Sequence, residues 1–502
     1  MPTHTGVDPD GFAELLTGLV RAGLRFKGRE EIYGDRQEPA AIRRRLLVDL
    51  AESSTPLTEV IAEFGRDVLP LCKNEASPRF LGFGDTGDDP AALAGGVLAL
   101  LTQQNLINQS FDAPSATFVE IAVLRWLRAL LGFGNPPAEQ VSDVWAVGGV
   151  ATTGGTTSNA MAMMLARENA EPGCMAAGVS DPERFGVVVP QGLGHYSIRA
   201  ALPWLGCGNQ TIEVPTDGLR YDQAALAVAL RRHAGRIMAV VAYAGDSRTQ
   251  TVERLDAVLQ IVRAADPGIW LHADACWGLM CALTDQRRHL IDGITGFDSV
   301  TVDPHKVLNV PYTLSALLVR DPAALRMISS YSDLIMQEDF AFGQVTPFLG
   351  SRAWSSLKLW MMMRAHGRSG LAAMVDQRLA VTRAFAGAVD AHPRLLRLHD
   401  PDLTAVAFVY LPVGFRREDA DLTRLNAVNI AIHERMLAEG RWHLHQFSLP
   451  DPGHFGGGML CPLRFVGINP RIEQAHISGV LKHVVELGMA VEIVPLGAGA
   501  LA

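Results

Sequence analysis

From about residue 120 onward, short apolar runs rich in β-branched residues alternate with segments of helical spacing. The predicted strands are Gly186–Pro190, Ile237–Tyr243, Trp270–Ala273, Ser299–Val302 and Leu314–Val319. The predicted helices in the same part of the chain are Glu120–Leu131, Asn159–Ala170 and Arg199–Leu205. Strands that are separated by helices form a mainly parallel sheet, with the helices packed on both faces. The sequence therefore predicts an α/β fold, whose ligand site lies at the carboxyl ends of the strands.

A chain of 502 residues is longer than one ordinary domain core, so we expect three regions. Residues 1–87 are predicted to be an N-terminal helical extension, 88–370 the large domain, and 371–502 a small C-terminal α+β domain. The elements predicted for the two outer regions are the helices Phe12–Ala22, Ala40–Glu52, Leu57–Val68 and Ile472–Gly488 and the strands Thr404–Tyr410 and Arg464–Ile468. Two further predicted helices, Pro90–Leu106 and Leu357–Ala365, open and close the large domain.

Composition argues against several classes of function. The net charge of −9 and the pI near 5.9 argue against a nucleic acid or an anionic membrane as partner. The apolar run Ala91–Leu101 is too short to cross a bilayer, and the chain opens without the pattern of a secretion signal. The six cysteines lack the spacing of a zinc site or of a disulfide framework. These features together predict a cytoplasmic enzyme with reduced thiols.

One lysine stands where a solvated surface lysine is not expected. Lys306 follows Asp303-Pro-His305 at the end of an apolar run, and Val307-Leu308 come directly after it. Burial disfavours the charged form of a lysine, so we expect Lys306 to have a depressed pKa and a nucleophilic amine. Such an amine could form a covalent link with an aldehyde.

A carboxylate occupies the equivalent position after the preceding predicted strand. Asp274 directly follows the apolar run Ile269-Trp-Leu-His-Ala273. An aspartate at a strand end can cap a helix, or it can keep a pyridine nitrogen protonated. His272 is expected to orient Asp274 or to fill the core, since no further ligand completes a metal site nearby.

Two more motifs complete the pattern of candidate ligands. The run Gly148–Asn159 is rich in glycine and hydroxyl residues and opens a predicted helix. Free N–H groups and the helix dipole make such a turn an anion cradle, although its spacing matches neither common nucleotide-binding loop. His195 follows the strand that ends at Pro190 and could stack on a flat heteroaromatic ring. An amine, a carboxylate, an anion cradle and an imidazole at successive strand ends predict a site for pyridoxal 5'-phosphate (PLP).

These motifs resemble those of the group II PLP-dependent amino-acid decarboxylases, which include glutamate and aromatic amino-acid decarboxylases. The matching segments are Thr153–Asn159, Gly194–Ser197, His272–Ala275, Asp303–Lys306, Leu357–Trp360 and Leu463–Pro470. The resemblance implies the type I PLP-dependent transferase fold and a homodimer with its active sites at the subunit interface. It also implies a small-molecule substrate, an L-amino acid that loses CO2 and becomes an amine.

The resemblance assigns the cofactor by position. Lys306 would carry PLP covalently, and Asp274 would pair with the pyridine nitrogen. His195 would stack on the ring, and His305 would lie beside the amine that carries the cofactor.

The resemblance also implies a phosphate site and a proton donor. Gly155 and Thr156 would hold the phosphate. In the family a mobile loop carries a tyrosine that protonates Cα of the substrate. Tyr331 is the one tyrosine between Arg320 and Gly350, so it is the predicted donor, with His195 as the alternative.

The chain departs from the family pattern after the strand that ends at Tyr243. It reads Gly245-Asp-Ser-Arg248 where the family usually has Gly-Thr-Thr. Ser247 could still donate the hydrogen bond expected of a threonine. Asp246 could receive a cationic substrate, or it could pair with Arg248.

Four residues are predicted to line the substrate side-chain pocket, partly from the partner subunit: Phe80, Phe83, Leu106 and Asn108. They favour an apolar or aromatic side chain over glutamate, although core packing explains them equally well. Three other activities stay open: an aldehyde synthase that deaminates oxidatively, a lyase that cleaves a Cα–Cβ bond, and a non-catalytic scaffold. Retention of Tyr331 favours simple decarboxylation.

Overall fold

A sheet of seven strands lies at the centre of the larger domain. The computed structural model describes residues 9–84, 86–334, 339–417 and 421–493. From edge to edge, the strands are Gly149–Thr152, Ser315–Val319, Ser299–Val302, Trp270–Asp274, Ile237–Tyr243, Gly186–Pro190 and Thr211–Val214. Ser315–Val319 runs antiparallel to both neighbours, and the other pairs are parallel. The predicted α/β fold with a mainly parallel sheet is confirmed.

The strands of this sheet are buried on both faces. Every residue of Ile237–Tyr243 and of Trp270–Asp274 is buried, which is typical of parallel strands covered by helices on either side. The helices that pack around the sheet are Ala116–Leu131, Gly155–Ala170, Tyr196–Trp204, Gln223–Arg232, Leu255–Ala265 and Ser356–Asp390. The strand Gly149–Thr152 was not predicted, because four residues between two glycine-rich turns carry too little apolar pattern.

The remaining helices flank this core. They are Pro9–Lys27, Pro39–Leu46, Leu57–Glu63, Pro90–Thr102, Cys174–Ala177, Leu279–Leu283, Pro304–Val307, Leu422–Glu439 and Gln474–Ile493. Pro39–Leu46 ends before the predicted end at Glu52, and it buries none of its residues, so no packing extends it. Within the described residues, no helix combines the length and the apolar character that a membrane crossing requires.

The C-terminal region is a smaller α+β unit. Its antiparallel sheet has the strand order Leu395–Arg397, Ala405–Tyr410, Leu463–Val466 and His445–Gln446. A small hairpin of this region pairs Leu449–Pro450 with Met459–Leu460. A similar hairpin in the larger domain pairs Thr216–Asp217 with Arg220–Tyr221. The predicted boundary near residue 370 falls inside the long helix Ser356–Asp390, which is kinked at Gly367 (φ 61°).

Candidate active site

Three of the predicted motifs lie at the carboxyl edge of the large sheet. Asp274 is the last residue of its strand, and Lys306 lies in the short helix Pro304–Val307 that follows the neighbouring strand. His195 caps the helix Tyr196–Trp204 on the same edge, where its side chain accepts a hydrogen bond from the helix backbone. Parallel strands bring their carboxyl ends together, so residues that are far apart in sequence converge here.

Lys306 forms an ion pair with the buried carboxylate of Asp303, with 2.7 Å between Nζ and Oδ2. Burial alone would lower the pKa of Lys306, but the charge of Asp303 outweighs it and raises that pKa above its ordinary value. Burial would likewise raise the pKa of Asp303, and Lys306 with His305 instead lowers it to about 2. The predicted depressed pKa of Lys306 is therefore wrong, because the sequence did not show that a carboxylate faces the amine.

The Lys306 amine is nevertheless accessible. The side chain keeps 24% of its surface exposed, which leaves room for a ligand at its end. His305 is held behind it, with Nδ1 donating to the carbonyl of Leu314 at 2.6 Å and Nε2 lying 3.9 Å from Asp303 Oδ2. Burial lowers the pKa of His305, although Asp303 opposes the effect. Lys306 is therefore a partly exposed side chain whose supporting residues are buried.

Asp274 is a buried carboxylate without a cation beside it. It is 5% exposed, and it accepts hydrogen bonds from Asn159 Nδ2 at 2.9 Å and from the Cys276 amide at 3.2 Å. No ion pair joins it to a cationic side chain in the described parts of the chain. A buried anion is costly unless a positive charge comes close to it. The position therefore suits a protonated ring nitrogen.

His195 is held on two sides. Its backbone amide donates to the hydroxyl of Tyr243 at 2.8 Å, and its Nδ1 lies 2.6 Å from Ser197 Oγ. Burial lowers the pKa of His195, with the charge of Asp274 partly opposing it. The imidazole is therefore neutral at physiological pH, which suits stacking against a flat ring.

The glycine-rich loop forms the start of the helix Gly155–Ala170. A Cβ on Gly155 would lie 2.8 Å from Asp303 Oδ2, so glycine is needed for the loop to approach the Lys306 site. The position of Gly154 faces open space, and Thr156 Oγ1 lies 3.1 Å from the hydroxyl of Tyr196. Unpaired amides at this helix start favour an anion such as a phosphate. The amine, carboxylate, imidazole and anion cradle together fit PLP.

The departure loop Gly245–Arg248 is organised by Asp246. Its carboxylate is 1% exposed and accepts hydrogen bonds from the amides of Arg248 at 2.7 Å, Thr249 at 3.0 Å and Thr251 at 2.9 Å. We correct the expectation that Asp246 faces a cationic substrate, because the loop itself occupies its oxygens. Asp246 contacts the amide of Arg248, while the Arg248 side chain donates to the Ser448 carbonyl at 3.0 Å. Ser247 is half-buried in the same loop.

Phe83 is the predicted pocket residue that presents a surface. It is 46% exposed, and the next residue, Gly84, lies against the Trp277 ring and the backbone of Lys306. Its ring meets His445 edge-on, with 5.1 Å between centroids. Phe83 therefore lies on the approach to Lys306.

The other three predicted pocket residues are occupied in packing. Phe80 is buried and stacks on His443 with centroids 4.6 Å apart. Leu106 belongs to a small buried cluster, and Asn108 Oδ1 accepts from the Ser110 amide at 2.8 Å. In the described chain these side chains do not face an opening, which corrects the pocket predicted from sequence.

An arginine that the sequence analysis did not single out lies beside Phe83. The guanidinium of Arg464 is sandwiched between the rings of Phe83 at 5.5 Å and Phe447 at 5.4 Å. It donates to the carbonyls of Ser247 and Gly82, while its buried Nε has no hydrogen-bond partner in the described residues. Burial lowers its pKa to about 10, so it stays charged at neutral pH. The sequence signal that could have identified Arg464 is its position in Leu463–Pro470, one of the segments that match the family.

Tyr331 is described, and 75% of its surface is exposed. No hydrogen bond or ring contact joins it to the part of the Lys306 site that the structure describes, so its role stays a prediction.

Like Arg464, Asn159 and Asp303 were not singled out by the sequence analysis as individual site residues, although both lie inside motifs that the sequence analysis quoted. Among the described residues, no cluster of histidine, cysteine, aspartate and glutamate could hold a metal ion.

Comparisons with known proteins agree with this geometry. A family model described as the pyridoxal-dependent decarboxylase conserved domain matches residues 39–411. Cysteine sulfinic acid decarboxylase of Rattus norvegicus is 29% identical over 497 residues, which cover 95% of this chain and 95% of that protein. L-2,4-diaminobutyrate decarboxylase of Rhizobium meliloti is 31% identical over 453 residues, which cover 86% of this chain and 85% of that protein.

The fold agrees as well. The crystal structure of mouse CSAD matches with a TM-score of 0.82 at 28% identity, over 96% of this chain and 99% of that chain. The mainly parallel sheet and its helices are those of the type I PLP-dependent fold. This chain therefore belongs to the pyridoxal-dependent decarboxylase family, and it is a PLP-dependent carboxy-lyase.

Proposed function

We propose that this enzyme converts an L-amino acid to CO2 and the corresponding amine, with Lys306 as the residue that carries PLP. One observation carries the assignment: the partly exposed side chain of Lys306 and the buried carboxylate of Asp274, which has no cation beside it among the described residues, lie at neighbouring strand ends. When bound, PLP supplies a protonated ring that accepts the electron pair left on Cα as CO2 departs.

The roles of the surrounding residues follow from their contacts. Asp274 keeps the ring nitrogen protonated, because a buried carboxylate stabilises a positive charge beside it. The amides of Gly155 and Thr156 hold the phosphate. His195 covers one face of the ring, and Ser247 donates a hydrogen bond to the cofactor.

Two protons have to move, one as PLP is bound and one during turnover. Lys306 must lose the first to solvent before its nitrogen can attack an aldehyde, because Asp303, with its lowered pKa, stabilises the protonated amine from 2.7 Å. His305 remains beside this pair and holds its geometry. Cα must gain a proton after CO2 has left, and Tyr331 or His195 donates it. A tyrosine in this role favours release of the amine over oxidative release of an aldehyde.

The substrate side chain that we propose is apolar or aromatic. The Trp277 ring lies 5.9 Å from Lys306 Nζ, Phe83 precedes Gly84 beside the Lys306 backbone, and Phe447 extends the same surface behind Arg464. Flat rings bury a large apolar area and stack on one another, so these walls suit a side chain of the same kind.

An acidic side chain is a second candidate, favoured by a specific observation. Arg464 is charged, lies against Phe83, and keeps a buried Nε without a hydrogen-bond partner among the described residues. Arg248 brings a second positive charge close enough to affect the pKa of both Arg464 and His195. A carboxylate or sulfinate would satisfy such a site, and the rat relative is named for an acidic substrate.

Mass spectrometry of the PLP-loaded enzyme, incubated aerobically with pooled amino acids, tests the proposal. The pool contains the proteinogenic amino acids together with cysteine sulfinate and 2,4-diaminobutyrate. An amine lighter than its parent by one CO2 supports decarboxylation and identifies the class of side chain. An aldehyde with ammonia would replace it by oxidative deamination and remove Tyr331 from its role. PLP bound without any conversion would refute the proposed substrate class.

We also propose a homodimer in the cytoplasm. The helix Pro90–Thr102 leaves Leu100 82% and Leu101 59% exposed, and Phe111 nearby is 60% exposed. Large apolar side chains in such numbers mark a surface that another protein covers. Sedimentation equilibrium should give twice the chain mass of 54.1 kDa, and a monomer at micromolar concentration would contradict the dimer.

A further inference from the structure

A continuous line of hydrogen-bonded side chains runs behind the PLP site. Its members are buried side chains from two strands and two helices, with His195 at its half-buried end. In order, the contacts are Trp270 Nε1 to Ser299 Oγ (2.8 Å), Ser299 Oγ to His272 Nδ1 (2.8 Å), His272 Nε2 to Asn159 Oδ1 (3.0 Å), Asn159 Nδ2 to Ser197 Oγ (2.8 Å) and Ser197 Oγ to His195 Nδ1 (2.6 Å). Asn159 Nδ2 also donates to Asp274 Oδ2 at 2.9 Å. The line therefore reaches both residues proposed to contact the cofactor ring.

The direction of each bond can be deduced from Asp274. Its carboxylate can only accept, so the amide nitrogen of Asn159 must face it and the amide oxygen must face His272. His272 Nε2 then has to donate. Burial lowers the pKa of His272 to about 4, so the ring is neutral and its Nδ1 carries no proton. This leaves Nδ1 as an acceptor.

The outer end of the line fits the same direction. Ser299 must donate its proton to His272 Nδ1, and its oxygen is then free to accept from Trp270. The indole N–H of Trp270 can only donate, which agrees with this direction. Each of the hydrogen bonds that join Trp270, Ser299 and His272 therefore has one donor and one acceptor.

The inner end fixes the proton of His195. Ser197 Oγ accepts from Asn159, and it donates to His195 Nδ1, because the Ser197 amide also points at that nitrogen and makes it an acceptor. The amide of Ser197 points at the same nitrogen from 3.4 Å. With two donors on Nδ1, a neutral His195 must carry its proton on Nε2.

We propose that Asn159 is a positioning residue that sets the Asp274 carboxylate and the His195 imidazole together, through one buried amide. The inference rests on the proposed roles of Asp274 and His195 toward PLP. Asn159 is 1% exposed, and Ser197, His272 and Ser299 are 0% exposed, so water cannot replace a lost partner. Rotating any one group would leave a buried polar atom unpaired, and the whole line therefore holds one orientation.

The test measures the bound cofactor as well as turnover. Asn159→Leu keeps the volume and removes both N–H groups and the oxygen. We expect PLP to dissociate about tenfold more readily, the ratio of its absorption bands to change, and kcat to fall about 10²-fold. Tyr221→Phe is the matched control, because it removes a buried hydroxyl that bonds to Val188 and Val241 in the same sheet. The control should keep the wild-type spectrum.

A second variant and a double-mutant cycle decide the outcome even if Asn159→Leu folds poorly. Ser299→Ala touches no group that contacts PLP, and it should change the spectrum in the same sense with about a fivefold loss of PLP affinity. In an Asp274→Ala background, Ser299→Ala should have a smaller further effect on PLP affinity, because only the His195 end of the line would then remain. Wild-type spectra and affinities in Ser299→Ala, or effects that simply add, would overturn the inference. The PLP readouts stand even if no amino acid is turned over, so the two proposals fail separately.

Discussion

The part of the site that is proposed to hold the cofactor (the cofactor half) and the part that is proposed to hold the substrate (the substrate half) are built in different ways. The cofactor half consists of Gly155, His195, Asp274, Asp303 and Lys306. All five lie at or just after strand ends of one sheet, and their supporting residues are almost entirely buried. A rigid sheet fixes such residues relative to one another before any ligand arrives.

The substrate half draws on parts of the chain that no single element holds together. It consists of Phe83, Arg248, Tyr331 and Arg464. They come from an irregular N-terminal segment, a loop after the strand Ile237–Tyr243, an exposed segment near residue 331 and a strand of the small domain. The comparison suggests that the chemistry is preserved by the sheet, whereas substrate choice changes when loops change.

The strongest test of the cofactor half is Lys306→Ala. We expect complete loss of turnover and of the absorption of lysine-linked PLP, because the other amine near His305, that of Lys358, is held by backbone carbonyls of residues 311–313. Absorption spectra after removal of free PLP measure the link. Lys482→Ala, at a side chain that is 77% exposed, is the matched control and should behave as wild type. Full activity of Lys306→Ala would show that PLP is bound at a different site.

Asp274→Ala should keep PLP bound and lower kcat by about 10³-fold, because it removes a buried charge that faces the ring nitrogen. Steady-state kinetics beside PLP titration separate the two effects. A loss of PLP without a fall in kcat at saturating PLP would show that Asp274 only anchors the cofactor. Asp274 would then contribute binding contacts alone, as we propose for the residues of the substrate half.

The sequence drew attention to the residues of the proposed cofactor half because their signals are local. The strands Gly186–Pro190, Ile237–Tyr243 and Ser299–Val302 have the bounds that their apolar runs indicated. Each motif then follows a strand end, and the geometry of parallel sheets brings such ends together. The ion pair of Lys306 with Asp303 was missed, since three residues of sequence do not show which way two side chains point.

The substrate half was predicted poorly because its contacts join distant segments. Phe80 stacks on His443 and Phe83 on the guanidinium of Arg464, which lie in the C-terminal unit. Spacing within either segment carries no information about such contacts. Asp246 misled in another way, because an aspartate that folds its own loop and one that binds a substrate look alike in sequence.

Arg248→Met sharpens the contrast on the substrate side. If the substrate is acidic, we expect kcat/KM to fall about tenfold as one charge-assisted contact is lost. If it is apolar or aromatic, kcat/KM should stay within about twofold of wild type, since only the bond to the Ser448 carbonyl is removed. Arg232→Met, at an exposed helix position, controls for loss of charge alone. Equal losses for both substrate classes would mean that Arg248 shapes the loop and does not select the substrate.

The smallest expected effect concerns the pH dependence of stability in the PLP-free protein. The pKa of Asp303 is lowered to about 2 in the fold, whereas an unfolded aspartate titrates near ~3.9. A lowered carboxyl pKa stabilises the fold above the unfolded value, and this contribution disappears as the pH falls from about 4 toward 2. The raised pKa of Lys306 acts in the opposite sense, and its contribution is lost only in strongly alkaline solution.

Urea unfolding between pH 6 and pH 3 should therefore show a loss of stability that Asp303→Asn lacks, on the order of ~2 kcal/mol at most. Asp217→Asn, on an exposed hairpin, is the control. A difference between Asp303→Asn and wild type that stays constant with pH would show that Asp303 supports the site through packing and hydrogen bonding. The cofactor half would then owe its order to the sheet alone, and its buried charges would matter for chemistry and not for the fold.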